Sequence, residues 1–537
     1  MSVKADCLPF SSIPHSPPLF LDFLHHFEKV RGFYARPPAF TDWWKDELQH
    51  IRYPQPRRQQ VAEILERQNR GFGSGPRALE NIQRLRNGAP AVVTGQQVAL
   101  FGGPMFVVLK GLTAAMLAEK AGAVPIFWLA TEDHDLAEID FVQIPAGDHL
   151  EKFNITPPHH ENAPVGAIVL NDELSTLLQP LREQFGGSEI FGLLESSYRS
   201  GETFGSAFGK FYAQLLSRFG VVLLDPSDPE LHRISFAVYR DALLESASIN
   251  EALQVRQEEL EKAGYDAQVK VTPSHTLCFY LQDGARVAVR HDPTGPHHGF
   301  VIGEEKFTPE ALVKQATENP ERFSPNVLLR PVVQDYLLPT LCYVGGPSEI
   351  SYFGQVQVVY RRLLERVTPI VPRMSATVIE PRMAKLLERY QLTLPDVFRG
   401  PEKLRDYLAD RALPASIMNS FDSAAAHLEQ AIALIHEPLA KLDATLLDAA
   451  ENASSKMTYQ LQNLREKAAR AEARKNTEVQ RHADELSAAL YPNKTLQERE
   501  AGAAYFLLKY GTGVLDQLKD KLQLGCLEHQ VVELEKN

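Results

Sequence analysis

Cysteine is scarce in this chain. Cys7, Cys278, Cys342 and Cys526 are far apart in 537 residues, and no two form a C-x-x-C pair. That spacing argues against a zinc ribbon or a disulfide framework and fits a reducing cytoplasm. Positive charge is not in excess either. The formal net charge of −12 speaks against a general nucleic-acid binder. No uninterrupted apolar stretch is long enough to span a bilayer, so no membrane association is expected. A basic-then-apolar leader is missing, because Pro9, Pro14, Pro17 and Pro18 interrupt the start. What is present is the composition of an ordinary soluble protein, 44% apolar and 23% charged. A chain of this length divides into two or three domains.

The stretch from Ala91 to Asp140 organises the rest. Ala91-Val92-Val93-Thr94 is a short apolar β-branched run, the pattern of a buried strand. Gly95-Gln96-Gln97 makes a turn, and Gly102-Gly103-Pro104 leads into a helical pattern from Met105 to Lys120. Pro104 suits a first helical position, and Gly122 lies just past the end. A second buried strand, Val124 to Ala130, ends in Thr131-Glu132-Asp133-His134-Asp135. Strand, helix and strand at this spacing form a βαβ unit with a right-handed crossover. Gly95-Gln96-Gln97 and the run Glu132 to Asp135 therefore share the carboxyl edge of the sheet, where open α/β sheets bind ligands. The glycines would let an anion approach the helix N-terminus.

Further along, Val221 to Leu224 gives another parallel strand, ending in Asp225-Pro226-Ser227-Asp228, where helix capping explains the acids. Gly71 to Pro76 looks like a nucleotide loop but follows a helix rather than a strand, so a plain connection is the better reading. Pro157-Pro158-His159-His160 has no third ligand at metal-binding spacing. Thr276 to Leu281 and Arg286 to Arg290 flank Gln282-Asp283-Gly284-Ala285, a hairpin signal. It marks an insertion of antiparallel strands.

A second strand and glycine-led helix lies between Arg330 and Glu380. Gln334-Asp335 precedes the apolar run Leu341-Cys342-Tyr343-Val344, then Gly345-Gly346-Pro347-Ser348-Glu349 and a helix with Tyr352 near its start. Two such helices aimed at one sheet edge are more specific than either alone. The last core strand, Thr368 to Val371, ends in Pro372-Arg373-Met374-Ser375. The apolar neighbours of Cys342 make it a buried structural thiol. From Leu428, apolar residues fall at Ile432, Ile435, Leu439, Leu442, Leu446, Ala449 and Ala453, and again from Met457 to Ala471, alternating four and three. This heptad seam closes either within one chain or between two, and its length favours a homodimer. Pro438 should kink or interrupt it; Asn452 to Ser455 mark a reversal or a weak turn. The division expected is a core over 1–385, with insertions near 145–200 and 265–325, a coiled-coil domain over 386–494 and a helical return over 495–537.

These residues resemble a known family. Thr94-Gly95-Gln96-Gln97, Phe101-Gly102-Gly103-Pro104, Lys110, Phe127-Trp128 and Glu132-Asp133-His134-Asp135 are similar to the signature of the bacillithiol synthase family, the cysteine ligases called BshC. So are Ser324-Pro325-Asn326, Arg330-Pro331, Gln334-Asp335, Leu338-Pro339-Thr340, Val344 to Pro347, Glu349, and Pro372-Arg373 with Ser375. The resemblance implies an α/β fold: a Rossmann-like parallel sheet related to nucleotidyl transferases, with inserted connective segments and a dimerising helical coiled coil. It implies addition of L-cysteine to glucosaminyl malate in the last step of bacillithiol synthesis. No His-x-Gly-His follows the first strand, and Arg373-Met374-Ser375 only loosely matches the Lys-Met-Ser-Lys-Ser loop of synthetase relatives.

Joining a carboxylate to an amine needs an activated acyl group, which ATP with Mg2+ would supply, and a general base. On this reading Glu132, Asp133, His134 and Asp135 position or deprotonate the amine. The substrate or nucleotide is held by Thr94, Gly95, Gln96, Gln97, Gly102, Gly103, Lys110, Gln334, Asp335, Tyr343, Gly345, Gly346, Glu349, Tyr352, Arg373 and Ser375. No metal ligands are assigned. One rival is a metal-dependent hydrolase that joins the run Glu132 to Asp135 with Asp225, Asp335 or Glu349. The other is a non-catalytic coiled-coil scaffold.

Overall fold

The computed structural model describes residues 5–40, 43–292, 299–411, 414–443, 445–473 and 477–535. Continuous apolar runs become the strands of a five-stranded parallel sheet, in the spatial order Ile370–Pro372, Thr340–Gly345, Ala91–Gln96, Val124–Leu129, Val222–Leu224. Strands covered on both faces cannot alternate with polar residues, and here every position from Val124 to Leu129 and from Thr340 to Gly345 is buried. The chain builds outward from Ala91–Gln96 in one direction, then returns to Thr340–Gly345 and builds in the other. The topological switch point therefore falls between these two strands, whose carboxyl ends are Gly95-Gln96 and Gly345.

Helix Met105–Ala121 makes the first crossover. It is buried nearly all round, with Gly122 in the left-handed conformation at φ 68° as its C-cap. Helix Pro347–Leu363 follows the Thr340–Gly345 strand and starts at Gly346 in extended backbone, φ −84°.

The two glycine-led helix starts are not equivalent, contrary to the expectation for Gly102 and Gly103. The Met105 N–H donates to the Ala501 carbonyl at 2.9 Å, and the Ala503 N–H donates to the Gly103 carbonyl at 2.9 Å. Gly102 donates to the Tyr198 hydroxyl at 2.9 Å and accepts from that of Tyr212 at 2.8 Å. This first helix start is sealed by the chain itself. Its glycines are needed for backbone geometry, at φ 85° and φ 70°.

The hairpin signal is realised as His275–Gln282 paired antiparallel with Ala285–Asp292, turning through Asp283 and Gly284 at positive φ. With Phe323–Pro325, Gly299–Ile302 and Glu305–Phe307 it forms a separate five-stranded sheet. The C-terminal return is not wholly helical. After helices Ala503–Tyr510 and Gly513–Lys521 comes strand His529–Glu533. It lies between Asp6–Leu8 and Ser375–Ile379, so the two ends of the chain meet in one three-stranded sheet. There Cys7 and Cys526 are joined as a disulfide. Their 519-residue separation hid the pairing from sequence spacing. Cys278 and Cys342 are free and buried.

The heptad segment folds back on itself. Helix Ala415–Leu442 runs through Pro438, and helix Leu446–Ala473 turns back beside it, with Arg465 paired to Asp422. The first helix ends at Leu442 and the second begins at Leu446, so the break falls neither at Pro438 nor at Asn452 to Ser455. Among the described residues no helix is long and apolar enough to cross a membrane.

Gly102→Ala is expected to lower stability by about 2 kcal/mol or more, since a Cβ there strains the positive φ and would lie 2.8 Å from the Phe211 ring. Chemical denaturation checks this, and an unchanged midpoint would contradict the sealed packing.

Candidate active site

A cavity of about 800 Å³ opens at the switch point. Gly95, Gln96 and Gln97 from the first core strand form one wall, and Tyr343, Gly346 and Glu349 from the second half form another. Lys110 joins them from the second turn of its helix. Its ammonium donates to the Gly95 carbonyl and to Gln96 Oε1, both at 2.9 Å, and meets Glu349 Oε2 at 2.5 Å. Three donors on three acceptors leave no N–H for a ligand. Lys110 therefore fixes Gln96 and Glu349, and contributes its charge at a distance. Burial pushes the Lys110 pKa down to about 8, against the pull of Glu349.

Glu349 is held as tightly. Oε1 accepts from the Tyr343 hydroxyl at 2.5 Å, and Oε2 accepts from the Gly346 N–H at 2.7 Å as well as from Lys110. Burial would raise its pKa, but Lys110 and these hydrogen bonds keep it below the ordinary carboxyl value, and so ionised. Arg330 completes this wall. It donates to Gln334 Oε1 and to the Tyr352 hydroxyl, both at 3.0 Å, and lies over the Tyr343 ring at 5.1 Å. Phe106 sits between Lys110 and Arg373, whose charges lie 5.8 and 5.3 Å from its ring centre. Arg373 and Arg499 also line a neighbouring cavity of about 440 Å³, walled by Phe10, Phe20, Tyr491 and Lys494. The main cavity thus carries charges of both signs, Lys110, Arg330, Arg373 and Arg499 against Glu138, Glu349 and Glu500, with Lys110 paired to Glu349 and Arg373 to Glu498.

Of the residues singled out from sequence, Gly95, Gln96, Gln97, Lys110, Tyr343, Gly346, Glu349, Tyr352 and Arg373 line this cavity. Gly345 and Ser375 line the smaller one. Thr94 is buried in the sheet, where its hydroxyl donates to the Val344 carbonyl. Gln334 orients Arg330. Asp335 accepts from the Tyr360 hydroxyl at 2.5 Å and faces a different cavity. Gly102 and Gly103 lie behind the wall. Sequence reasoning missed Phe106, Trp128, Arg499 and the role of Arg330. Arg330 stands in a quoted motif, but nothing local marks Arg499, which the fold brings from the far C-terminus.

The acidic run behaves differently from expectation. Glu132, Asp133, His134 and Asp135 are not on the cavity lining. Asp133 accepts from the Gln97 amide at 2.8 Å, so it acts on the cavity through Gln97. Asp135 is exposed. The Arg286 guanidinium contacts His134 Nδ1 at 3.1 Å. Arginine only donates, so Nδ1 accepts and the neutral imidazole carries its proton on Nε2. Burial and Arg286 both lower the His134 pKa. In this arrangement His134 offers a donor, not a base. Glu132 turns into the protein against His232, at 3.3 Å. Burial, with Asp225 nearby, raises its carboxyl pKa to about 8 despite Arg286. Asp225 accepts from Thr131 and Ser227, and Asp228 caps helix Pro229–Leu244. Among the described residues no three His, Cys, Asp or Glu side chains are grouped to hold a metal ion.

Two family models match. Residues 3–374 match the bacillithiol biosynthesis BshC N-terminal Rossmann-like domain. Residues 376–534 match the C-terminal coiled-coil domain of the same family. A protein of Koribacter versatilis named "Putative cysteine ligase BshC" is 46% identical, covering 98% of this chain and 99% of its own. Proteins of the same name from Solibacter usitatus and Salinibacter ruber are 34% and 31% identical, each over 98% of this chain and over 99% and 97% of their own.

The environment of Glu132 predicts a pH effect on stability. Between the ordinary value of 4.5 and about 8, the folded state keeps a proton that the unfolded chain has released. Stability therefore falls as pH rises through that window. Glu132→Gln should leave stability near wild type at pH 5 and raise it by about 1 kcal/mol or more at pH 8, read from urea melts. An equal effect at both pH values would contradict a protonated Glu132.

Proposed function

The chain belongs to the bacillithiol biosynthesis BshC family, and from that membership we propose that it is a ligase joining the carboxyl group of L-cysteine to the amine of glucosaminyl malate. The observation that carries this reading is the cavity at the switch point, with Arg330 and Arg499 on its lining and the ionised Glu349 beside them. Anionic substrates are drawn to Arg330 and Arg499, whose charges are not spent on the Lys110–Glu349 and Arg373–Glu498 pairs. Glu349 Oε1 keeps one lone pair beyond the Tyr343 hydroxyl and receives the ammonium of cysteine. Tyr352 and Gln96 fix the geometry of these charges rather than reacting themselves.

A cysteine carboxylate is too poor an electrophile for direct amide formation, so ATP activates it as an acyl adenylate or acyl phosphate. The amine nitrogen then bonds to the acyl carbon, AMP or phosphate leaves, and the amine gives up a proton. A Mg2+ ion would come with ATP on its phosphates, and Glu138 and Glu500 are the lining carboxylates outside the Lys110–Glu349 pair that would be open to it. A scaffold would have no use for a buried, charged and partnered cavity of this size.

Pure protein incubated with cysteine, glucosaminyl malate and ATP is expected to yield the amide by mass, and AMP or ADP identifies the activation route. No product from folded protein would reject the ligase. Glu349→Gln should lower kcat/KM for cysteine by about tenfold or more, as expected when a charged contact to substrate is removed.

A homodimer is part of the same proposal. In the helical hairpin, Leu428, Ile432, Leu439, Leu446 and Leu461 are half-covered within the chain, whereas Ile435, Leu442, Met457 and Leu464 of the same seam are exposed. A seam half used internally leaves its other half for a second copy. Leu442→Asp with Leu464→Asp, at positions 77% and 57% exposed in one chain, should halve the mass seen by light scattering without loss of helicity. A monomeric wild type would refute the dimer.

A further inference from the structure

The wall shared by the two cavities holds a buried cation that the chain does not fully satisfy. The Arg373 side chain is 4% exposed. One terminal nitrogen donates to the Met374 carbonyl at 3.0 Å, the other to Glu498 Oε1 at 2.6 Å. Its Nε–H finds no acceptor in the protein and lies 3.4 Å from where a Cβ on Gly346 would stand. A buried donor without an acceptor is costly, so a ligand atom is the natural partner. Gly346 is also the N-cap of the 17-residue helix Pro347–Leu363; its own N–H goes to Glu349 Oε2 and Pro347 has none, so the N–H groups of Ser348 and Glu349 are those that favour an anion. Arg499 borders both cavities at the same wall.

Behind Arg373 the protons are all assigned. Glu498 Oε1 also accepts from the Ser375 hydroxyl at 2.8 Å, and Oε2 accepts from the Ala376 N–H at 2.8 Å. Having given its hydrogen to Glu498, Ser375 accepts from His529 Nδ1 at 2.8 Å, and His529 Nε2 accepts from Thr377 at 2.8 Å. This chain of bonds runs from the C-terminal strand to the cavity wall and leaves Arg373 one orientation. Arg373 and Glu498 neutralise each other, as do Lys110 and Glu349, whose Oε2 lies 3.6 Å from the same Gly346 position; Arg373 therefore offers an anion its free Nε–H, and Arg499 supplies the net charge.

We propose that this wall is an anion subsite, in which Arg373, Arg499 and the first turn of helix Pro347–Leu363 hold a carboxylate or phosphate group, and that Glu498 is the positioning residue that aims Arg373 at it. The proposal deepens the ligase reading and rests on it for the choice of ligands, since the malate moiety brings carboxylates and ATP brings phosphates. It does not depend on turnover.

Calorimetry on the full chain, with L-malate and with inorganic pyrophosphate, tests it. Wild type is expected to bind at least one. A malate response alone assigns a carboxylate, and a pyrophosphate response alone assigns a phosphate. Arg373→Lys, which loses the Nε–H and the planar fork, should weaken that binding by about tenfold or more. Glu498→Gln should weaken it comparably in wild type and add nothing in the Arg373→Lys background, because a residue acting only through Arg373 is not additive with its loss. If Glu498→Gln fails to fold, Ser375→Ala reads the same coupling: a smaller loss in wild type and none in Arg373→Lys. No binding by wild type, unchanged affinity in Arg373→Lys, or additive losses in the double variant would each overturn the subsite. Binding without product in the turnover assay would fail the ligase reading while leaving the subsite intact.

Discussion

The buried pair between Lys110 and Glu349 is the constraint on which the centre of this molecule depends. Lys110 belongs to the crossover after the first core strand, Glu349 to the helix after the fourth, and their contact spans the switch point. Two charges this deep are tolerated only when they are paired and hydrogen-bonded: Lys110 has all three N–H groups engaged, and Glu349 accepts three bonds and keeps one lone pair on Oε1. Removing one partner would leave the other uncompensated, at a cost of about 3–5 kcal/mol. The pair thus locks the two halves of the sheet in register and fixes Gln96, Gly346 and Tyr343 around one space.

A second buried pair, Arg373 with Glu498, brings the C-terminal segment into the same wall. Glu498 is covered because strand His529–Glu533 lies beside Ser375–Ile379, and the N-terminal Asp6–Leu8 closes the other side. The end of the chain is therefore part of the cavity, not an appendage. It also seals the first helix start through Ala501 and Ala503. One glycine-led helix is closed by the protein's own backbone, and the other is capped by Glu349 at Gly346 but borders the cavity.

The acidic run illustrates how a sheet edge and a site can differ. Glu132 to Asp135 do leave the second core strand at the carboxyl edge. The antiparallel insertion then brings Arg286 and Phe279 against His134, and Glu132 is drawn inward toward His232. Only Asp133 acts on the cavity, through Gln97. The run is better understood as the support of one wall than as its reactive surface.

Much of the fold was legible in the chain because its causes are local. Buried parallel strands demand unbroken apolar runs, so Ala91–Gln96, Val124–Leu129 and Thr340–Gly345 announce themselves, and Pro104, Gly122 and Gly346 mark helix ends through their own backbone preferences. Topology then follows from handedness, which placed Gly95, Gln96, Gln97, Gly346 and Glu349 at one edge. Contacts between distant segments were not legible. The pairing of Cys7 with Cys526, the end of the first heptad helix at Leu442, the sealing of Gly103 by Ala503 and the arrival of Arg499 and Glu498 leave no local pattern. Nor could spacing reveal which way a side chain turns once at the edge. Lys110 has all its donors engaged and Arg373 does not, because hydrogen-bond partners are fixed only when the chain has packed.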